Sequence, residues 1–118
     1  MIDTAQRKKI ATIAVGRNPI QVFATPDGHD IYVANQGSEA DPDNTVSVID
    51  TTNNSVVATI VTGKGAHGVV ASDDGMLIFI TNIADDTVSV IDTATQTVTK
   101  NITVGKGPNG ITFRNANR

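Results

Sequence analysis

The amino-acid sequence predicts an all-β fold of four-stranded antiparallel sheets, the blades of a β-propeller, and three observations carry that prediction. The first is a repeat. The stretch 45–63, TVSVIDTTNNSVVATIVTG, returns at 87–105 as TVSVIDTATQTVTKNITVG, an offset of 42 residues. Repeats of about 40 residues made of short strands mark propeller blades. A weaker copy stands first in the chain: Ile2-Asp3-Thr4-Ala5 matches Ile49-Asp50-Thr51-Thr52, and Gly16 follows Asp3 by 13 residues, as Gly63 follows Asp50. The second observation is the period within the repeat. Val46, Val48, Val88 and Val90 alternate with Ser47 and Ser89, a period of two on a Val-, Ile- and Thr-rich background that suits a pleated surface. The third is punctuation: turn signals recur about every 8–12 residues, as in sandwiches and barrel-like folds, and no segment carries a helical stripe.

Taken in order, residues 6–15 read as an outer strand that follows the fragment Ile2-Asp3. Residues 16–19, GRNP, form a loop, and 20–25, IQVFAT, a strand. Pro26-Asp27-Gly28 is a tight turn in which the glycine supplies a positive φ. The strand 30–35, DIYVAN, leads into a polar loop at 36–44, QGSEADPDN. A strand at 45–49, a turn at 50–54 and a strand at 55–61 complete the unit. The second unit repeats this order: loop 63–67, strand 68–71, turn 73–75, strand 76–82, loop 83–86, strand 87–91, turn 92–96 and outer strand 97–104. The organisation expected is therefore the end of one blade at 1–19, a blade at 20–62, a second at 63–104, and the start of a third at 105–118. The two units differ in length at one loop only. Asn35 to Thr45 spans 10 residues where Asn82 to Thr87 spans 5. An insertion confined to one loop often marks the working face of a repeat protein; drift in a solvated loop leaves the same trace.

Composition excludes several classes. Charged residues are 18% of the chain, below the usual share of about 25%. The net charge is −3, the wrong sign for a phosphate-backbone partner, which needs Lys and Arg to displace counterions. With no cysteine there is no disulfide, thiolate zinc site or cysteine nucleophile. No apolar run is long enough to span a membrane. Aromatics are 3%, too few for a base-stacking platform.

In a four-stranded blade the chain reverses at every turn. The connections from strand four to the next strand one, and from strand two to strand three, must then lie on one face. That groups the loops at 16–19, 36–44, 63–67 and 105–109, and sets the turns at 26–28, 50–54, 73–75 and 92–96 on the other. His67, in GKGAHG, could bind a metal or act as a base, or simply make a structural hydrogen bond; His29 falls in a turn of the opposite face. Glu39, Asp41, Asp43 and Asn44 form an oxygen-rich run that suits a hard cation or a solvated loop, and Asp85 and Asp86 are similar. His67, Glu39, Asp41 and Asp43 are thus candidate metal ligands. Arg17, Lys64 and Lys106 occupy equivalent places and make a basic spot for an anionic ligand. With Asn18, His67 and Asn109 they are the candidate ligand contacts. Asp50 and Asp92, of the two VID motifs, are expected to accept backbone N–H groups in their turns. The glycine-rich GKG segments lack the GK[ST] and helix of a P-loop, and no G-x-S-x-G elbow occurs.

The segments YVAN (32–35), NTVSVIDT (44–51) and VVATI (56–60), with VGRNP (15–19) and VGKGPNG (104–110), resemble the YVTN-type β-propeller repeat. The second unit departs with FITN at 79–82 and with Ala66-His67 where the pattern has Pro. The resemblance implies a ring of further blades, because two blades cannot close one; these would come from a longer chain or from self-association. It also implies a periplasmic or extracellular setting. Two functions are compatible with it: a non-enzymatic binding or scaffold module that contacts a protein or small molecule through the loops of one face, or a fragment of a propeller enzyme, lactonase-like or haem d1-like, with His67 in a metal or substrate site. No cofactor is expected beyond a metal ion.

Overall fold

The computed structural model describes residues 2–3, 8–9, 14–38 and 40–105. Among them are ten strands and no helix: β1 (Ile2–Asp3), β2 (Lys8–Lys9), β3 (Pro19–Ala24), β4 (Asp30–Gly37), β5 (Pro42–Asp50), β6 (Ser55–Val61), β7 (Ala66–Ala71), β8 (Leu77–Asn82), β9 (Thr87–Asp92) and β10 (Thr97–Thr103). They form two four-stranded antiparallel meanders, β3-β4-β5-β6 and β7-β8-β9-β10, and a two-stranded pair, β1-β2. The fold is that of propeller blades.

The two meanders match in register. Val22↔Val33, Val33↔Ser47 and Ser47↔Thr59 in the first correspond to Val69↔Ile80, Ile80↔Ser89 and Ser89↔Asn101 in the second. Both outer strands carry a bulge at the same point, Val57 and Thr99 lying between paired neighbours. Both inner strands are irregular after their first residue, at Ile20 and at His67-Gly68. A bulge twists a strand locally, so each blade turns at the same two places.

The blades join through one apolar core. Tyr32, Ala34, Val46, Val48 and Ile60 of the first sheet meet Val69, Ala71, Ile78, Ile80 and Ile91 of the second, with Phe23, Ala58 and Val98 at the margin. Period-two alternation explains which residues take part: Tyr32 and Ala34 point to the second blade, and Val33 points away. In the second blade the parity is that of the opposite face, so one face of each sheet is shared.

At the end of the second strand of each blade stands a buried asparagine. Asn35 Nδ2 donates to Thr45 Oγ1 at 3.2 Å and Ser47 Oγ at 3.0 Å. Asn82 Nδ2 donates to Thr87 Oγ1 at 3.1 Å and Ser89 Oγ at 2.9 Å. Both residues are 0% exposed. A glycine lies over each: a Cβ on Gly16 would fall 2.6 Å from Asn35 Cγ, and one on Gly63 2.7 Å from Asn82 Cγ. The glycines are required by this approach.

The face opposite the long loop is closed by its own turns. Asp50 and Asp92 accept the backbone N–H of Thr52 and Ala94 at 2.7 and 2.8 Å, as expected of the VID aspartates. Thr51 and Thr93 reach across to Gly28 O and Gly75 O.

Replacing Asn82 by Ala removes one buried and one part-buried hydrogen bond and opens a void, so we expect a loss of about 2–4 kcal/mol in urea unfolding. A loss under about 0.5 kcal/mol would deny the asparagine its structural part. Tyr32 differs. Its hydroxyl is buried without a hydrogen-bond partner among the described residues, and burial, with Asp30 and Asp92 nearby, pushes its pKa up to about 12. The equivalent residue of the second blade is Phe79. Tyr32→Phe is therefore expected to leave the urea midpoint unchanged or raise stability by up to about 1 kcal/mol.

Candidate functional site

Of the loops expected to share a face, those at 16–19, 36–44 and 63–67 do meet on one side, as their hydrogen bonds show. Gln36 N and Gly37 N donate to Asn18 O and Arg17 O, both at 3.1 Å, and Asn18 Nδ2 donates to Gly37 O at 2.8 Å. In the second blade Ile83 N and Ala84 N donate to Gly65 O and Lys64 O at 2.9 and 3.1 Å. Each entry loop thus lies along the end of its own blade's second strand. The seam between blades is crossed by Gly65 N, which donates to Asp43 O at 2.7 Å, and by Thr62 N, which donates to Asn44 O at 2.7 Å.

The segment 36–44 departs from the sequence expectation of a loop. β4 runs on to Gly37 and β5 starts at Pro42, and the two residues pair. The extra residues build a longer hairpin that closes beyond the Gly37–Pro42 pair. Gly37 makes the bend with φ +71°, and a Cβ there would stand 2.2 Å from Asp43 N; only glycine fits. In the second blade the same connection is a four-residue turn, 83–86, with Asp86 at φ 57°.

On this face Arg17 is paired with two carboxylates of the long hairpin. Arg17 Nη1 contacts Asp41 Oδ2 at 2.7 Å, and Arg17 Nε lies 3.9 Å from Asp43 Oδ2. Asp43 is buried and also accepts from Arg17 N at 3.0 Å and Thr45 Oγ1 at 2.7 Å. Burial alone pushes its carboxyl up. The hydrogen bonds from Thr45, Arg17 and Asn44 and the Arg17 charge outweigh that and hold it below the usual carboxylate range. Arg17 is therefore engaged by the long hairpin, and Asp41 and Asp43 are engaged by Arg17. Asp85 takes the place of Asp43, 42 residues on, and accepts from Lys64 N at 2.9 Å. A carboxylate gripping the entry-loop N–H is thus built into both blades; the shared offset signals it in the sequence.

His67 stands in the irregular part of β7, the place Ile20 takes in β3, with its Nδ1 3.5 Å from Gln21 Nε2. Both residues lie on inner strands. Lys64 is exposed. Glu39, Lys106 and Asn109 lie outside the described residues, as does the strand expected at 110–113. Among the described residues no group of three or more His, Cys, Asp or Glu could hold a metal ion. His29 sits in its turn on the opposite face, its N–H donating to Asp27 Oδ1 at 2.9 Å.

One concave feature stands out on the loop face. A cavity of about 410 Å³ opens at the seam, lined by Gln36, Ser38 and Pro42 of the long hairpin and by Gly65, Ile83 and Ala84 of the second blade. Its volume is in the range of small-molecule sites. None of the lining residues stands out in the sequence; the five-residue length difference between the units is the signal that points to them.

No protein-family model and no curated protein matches the chain. Solved structures do. Kuenenia stuttgartiensis hydrazine synthase matches with a TM-score of 0.73 and 23% identity over 84% of this chain and 27% of that one. The Myceliophteria thermophila Cps50 (Swd1) β-propeller domain matches with a TM-score of 0.72 and 16% identity over 85% of this chain and 30% of that one. The chain thus spans under a third of each, and the likeness is one of fold.

The acid response follows from the turn and hairpin carboxylates. Asp27, Asp43, Asp50 and Asp74 are all held below their ordinary range, chiefly by hydrogen bonds from Thr25, Thr45, Thr52 and Ser72 once burial is overcome. A depressed folded pKa gives stability that is present above about pH 4 and lost as pH falls through the folded value. Asp30 acts in the opposite sense, because burial and then the Asp50 and Asp27 charges raise it. We expect the urea midpoint to fall from about pH 7 to about pH 3, and to fall less in Asp43→Asn, which starts lower at neutral pH. An equal fall in both proteins would remove Asp43 from the account.

Proposed function

We propose that the chain is a non-enzymatic binding module, a part of a YVTN-like β-propeller that contacts its ligand or partner through the loop face. The observation that carries this reading is the cavity at the seam of the two blades. The long hairpin of the first blade forms one wall and the shorter turn of the second forms the other, so the longer connection supplies Gln36, Ser38 and Pro42. The lining offers one amide, one hydroxyl, an Ile side chain and backbone. That set suits an uncharged group with an apolar part and one or two hydrogen-bonding atoms, such as an aliphatic or amide side chain of a partner protein. Binding pockets join apolar wall to a few placed polar groups, and this lining is about evenly divided between the two. Among the described residues the lining holds no ionisable side chain to serve as a base for the Ser38 hydroxyl, which favours recognition over chemistry at this spot.

The test is a titration followed by nuclear magnetic resonance of the ¹⁵N-labelled chain, with blocked single amino acids as probes: N-acetyl-leucine amide, N-acetyl-glutamine amide and N-acetyl-aspartate amide. Saturable shifts at Gln36, Ser38, Gly65 and Ala84 with the uncharged probes, weaker with the aspartate probe and lost in Ala84→Trp, are expected. Shifts that do not saturate, or that persist in Ala84→Trp, would overturn the assignment.

A further inference from the structure

Arg17 does not line the cavity at the seam, yet the first-blade wall is held by Arg17 and its neighbour Asn18. The wall residues are Gln36, Ser38 and Pro42. Gln36 N donates to Asn18 O and Gly37 N to Arg17 O, both at 3.1 Å. Arg17 N donates to Asp43 Oδ2 at 3.0 Å. Arg17 Nη1 donates both to Asp41 O at 3.2 Å and to Asp41 Oδ2 at 2.7 Å. Gly37 separates Gln36 from Ser38, and Asp41 and Asp43 flank Pro42. Every wall residue therefore stands next to one that Arg17 grips.

These grips are of two kinds. The bond from the entry-loop N–H to a carboxylate is common to both blades, since Lys64 N meets Asp85 as Arg17 N meets Asp43. The guanidinium clasp is not, because the shorter connection 83–86 has no residue in the place of Asp41. The clasp reaches the wall through bonds internal to the hairpin. Asp41 O accepts from Ser38 N at 3.2 Å, and Asp41 N donates to Ser38 Oγ at 3.0 Å. The guanidinium thus holds Asp41, Asp41 holds Ser38, and Ser38 lines the cavity. The clasp is specific to arginine. Its Nη1 sits on Asp41 while its Nε lies 3.9 Å from Asp43 Oδ2, a span that the point charge of a lysine does not cover.

We infer that Arg17 is the positioning residue of the cavity wall, and that its clasp on Asp41 makes affinity for an uncharged ligand depend on ionic strength. The inference rests on the cavity being the binding site. The Arg17 and Asp41 side chains are 56% and 78% exposed, so dissolved ions screen their attraction. Neither residue belongs to the lining, which carries no charge. Salt therefore acts on binding through the wall and not through the ligand. An exposed ion pair is worth a factor of about 2–5 in an equilibrium, which bounds the effect.

Two readouts on the whole chain test this, and the first needs no ligand. Amide hydrogen exchange at Gly37 and Ser38 is expected to quicken about 2–5-fold in Arg17→Met, Arg17→Lys and Asp41→Asn. Exchange at Gly28 and Gly75, bonded within turns of the opposite face, should not change in Asp41→Asn. The second readout is a titration with N-acetyl-leucine amide at about 20 mM and about 500 mM salt. The unaltered chain should lose affinity about 2–5-fold at the higher salt. Arg17→Met and Asp41→Asn should bind at that lower affinity in both conditions, and the double variant should match either single one. Arg17→Lys should behave as Arg17→Met. A lysine variant that keeps the full affinity and salt response would make position 17 a charge near the ligand, and would overturn the inference. Unchanged exchange at Ser38 in Arg17→Met and Asp41→Asn alike would overturn it too. Failure of the cavity reading looks different: the unaltered chain gives no saturable shifts while exchange at Ser38 still quickens in both variants, which upholds Arg17 as the brace and removes the ligand.

Discussion

Everything in a blade is referred to the asparagine that ends its second strand. Asn35 and Asn82 are fully buried, and each bridges two hydroxyls of strand three with one amide group. That bond fixes the register of strands two and three near the loop face. The glycine pressed on the same amide fixes where the chain enters the blade. A buried N–H left unbonded costs about 1–3 kcal/mol; Oδ1 of both asparagines is buried without a hydrogen-bond partner among the described residues, so the Thr and Ser hydroxyls carry the bonding of each amide. The repeated TVS preceding VID follows directly: Thr45 and Ser47, like Thr87 and Ser89, are the acceptors. The apolar residues between them, Val46 and Val88, occupy the other face of the strand.

From this anchor the seam between blades can be understood. Leaving β6, the chain has only residues 62–65 in which to cross to β7. Thr62 and Gly65 bond to backbone of the preceding hairpin at Asn44 and Asp43, while Lys64 is held by Asp85 of its own blade. Polar backbone in the crossing is thereby satisfied without side chains that differ between blades. The apolar core below is free to be shared by two sheets, as Tyr32 and Val48 on one side and Ile78 and Ile80 on the other show.

Much of this is legible in the sequence. The offset of VID and of the closing glycines defines the blade, its strand order and the two faces. The turns at Gly28 and Gly75 fall where a positive φ is required, at 73° and 72°. The long hairpin reads as a loop because QGSEADPDN is rich in turn formers. The pairing of Gly37 with Pro42 comes from the Gly37 bend and from Arg17, which lies 24 residues from Asp41 in sequence. Long-range charge pairing of that kind has no local signature. The run of carboxylates suggests a cation site by the same local reading, and the contacts of Asp43 with Arg17 and Thr45 are likewise invisible to it. The cavity is illegible for a different reason: its wall is made of residues from two repeats, none of them distinctive alone.

The hairpin at 38–41 also bears on how such chains change. Both blades keep the asparagine, its two hydroxyl partners and the glycine above it, although one connection between them is five residues longer. Length added beyond the Asn–Thr pair leaves that anchor untouched. Each blade therefore offers a socket in which new segments can be tried one at a time, at little risk to folding. A ring of such units could acquire a different recognition surface by exchanging tips, with its framework inherited unchanged.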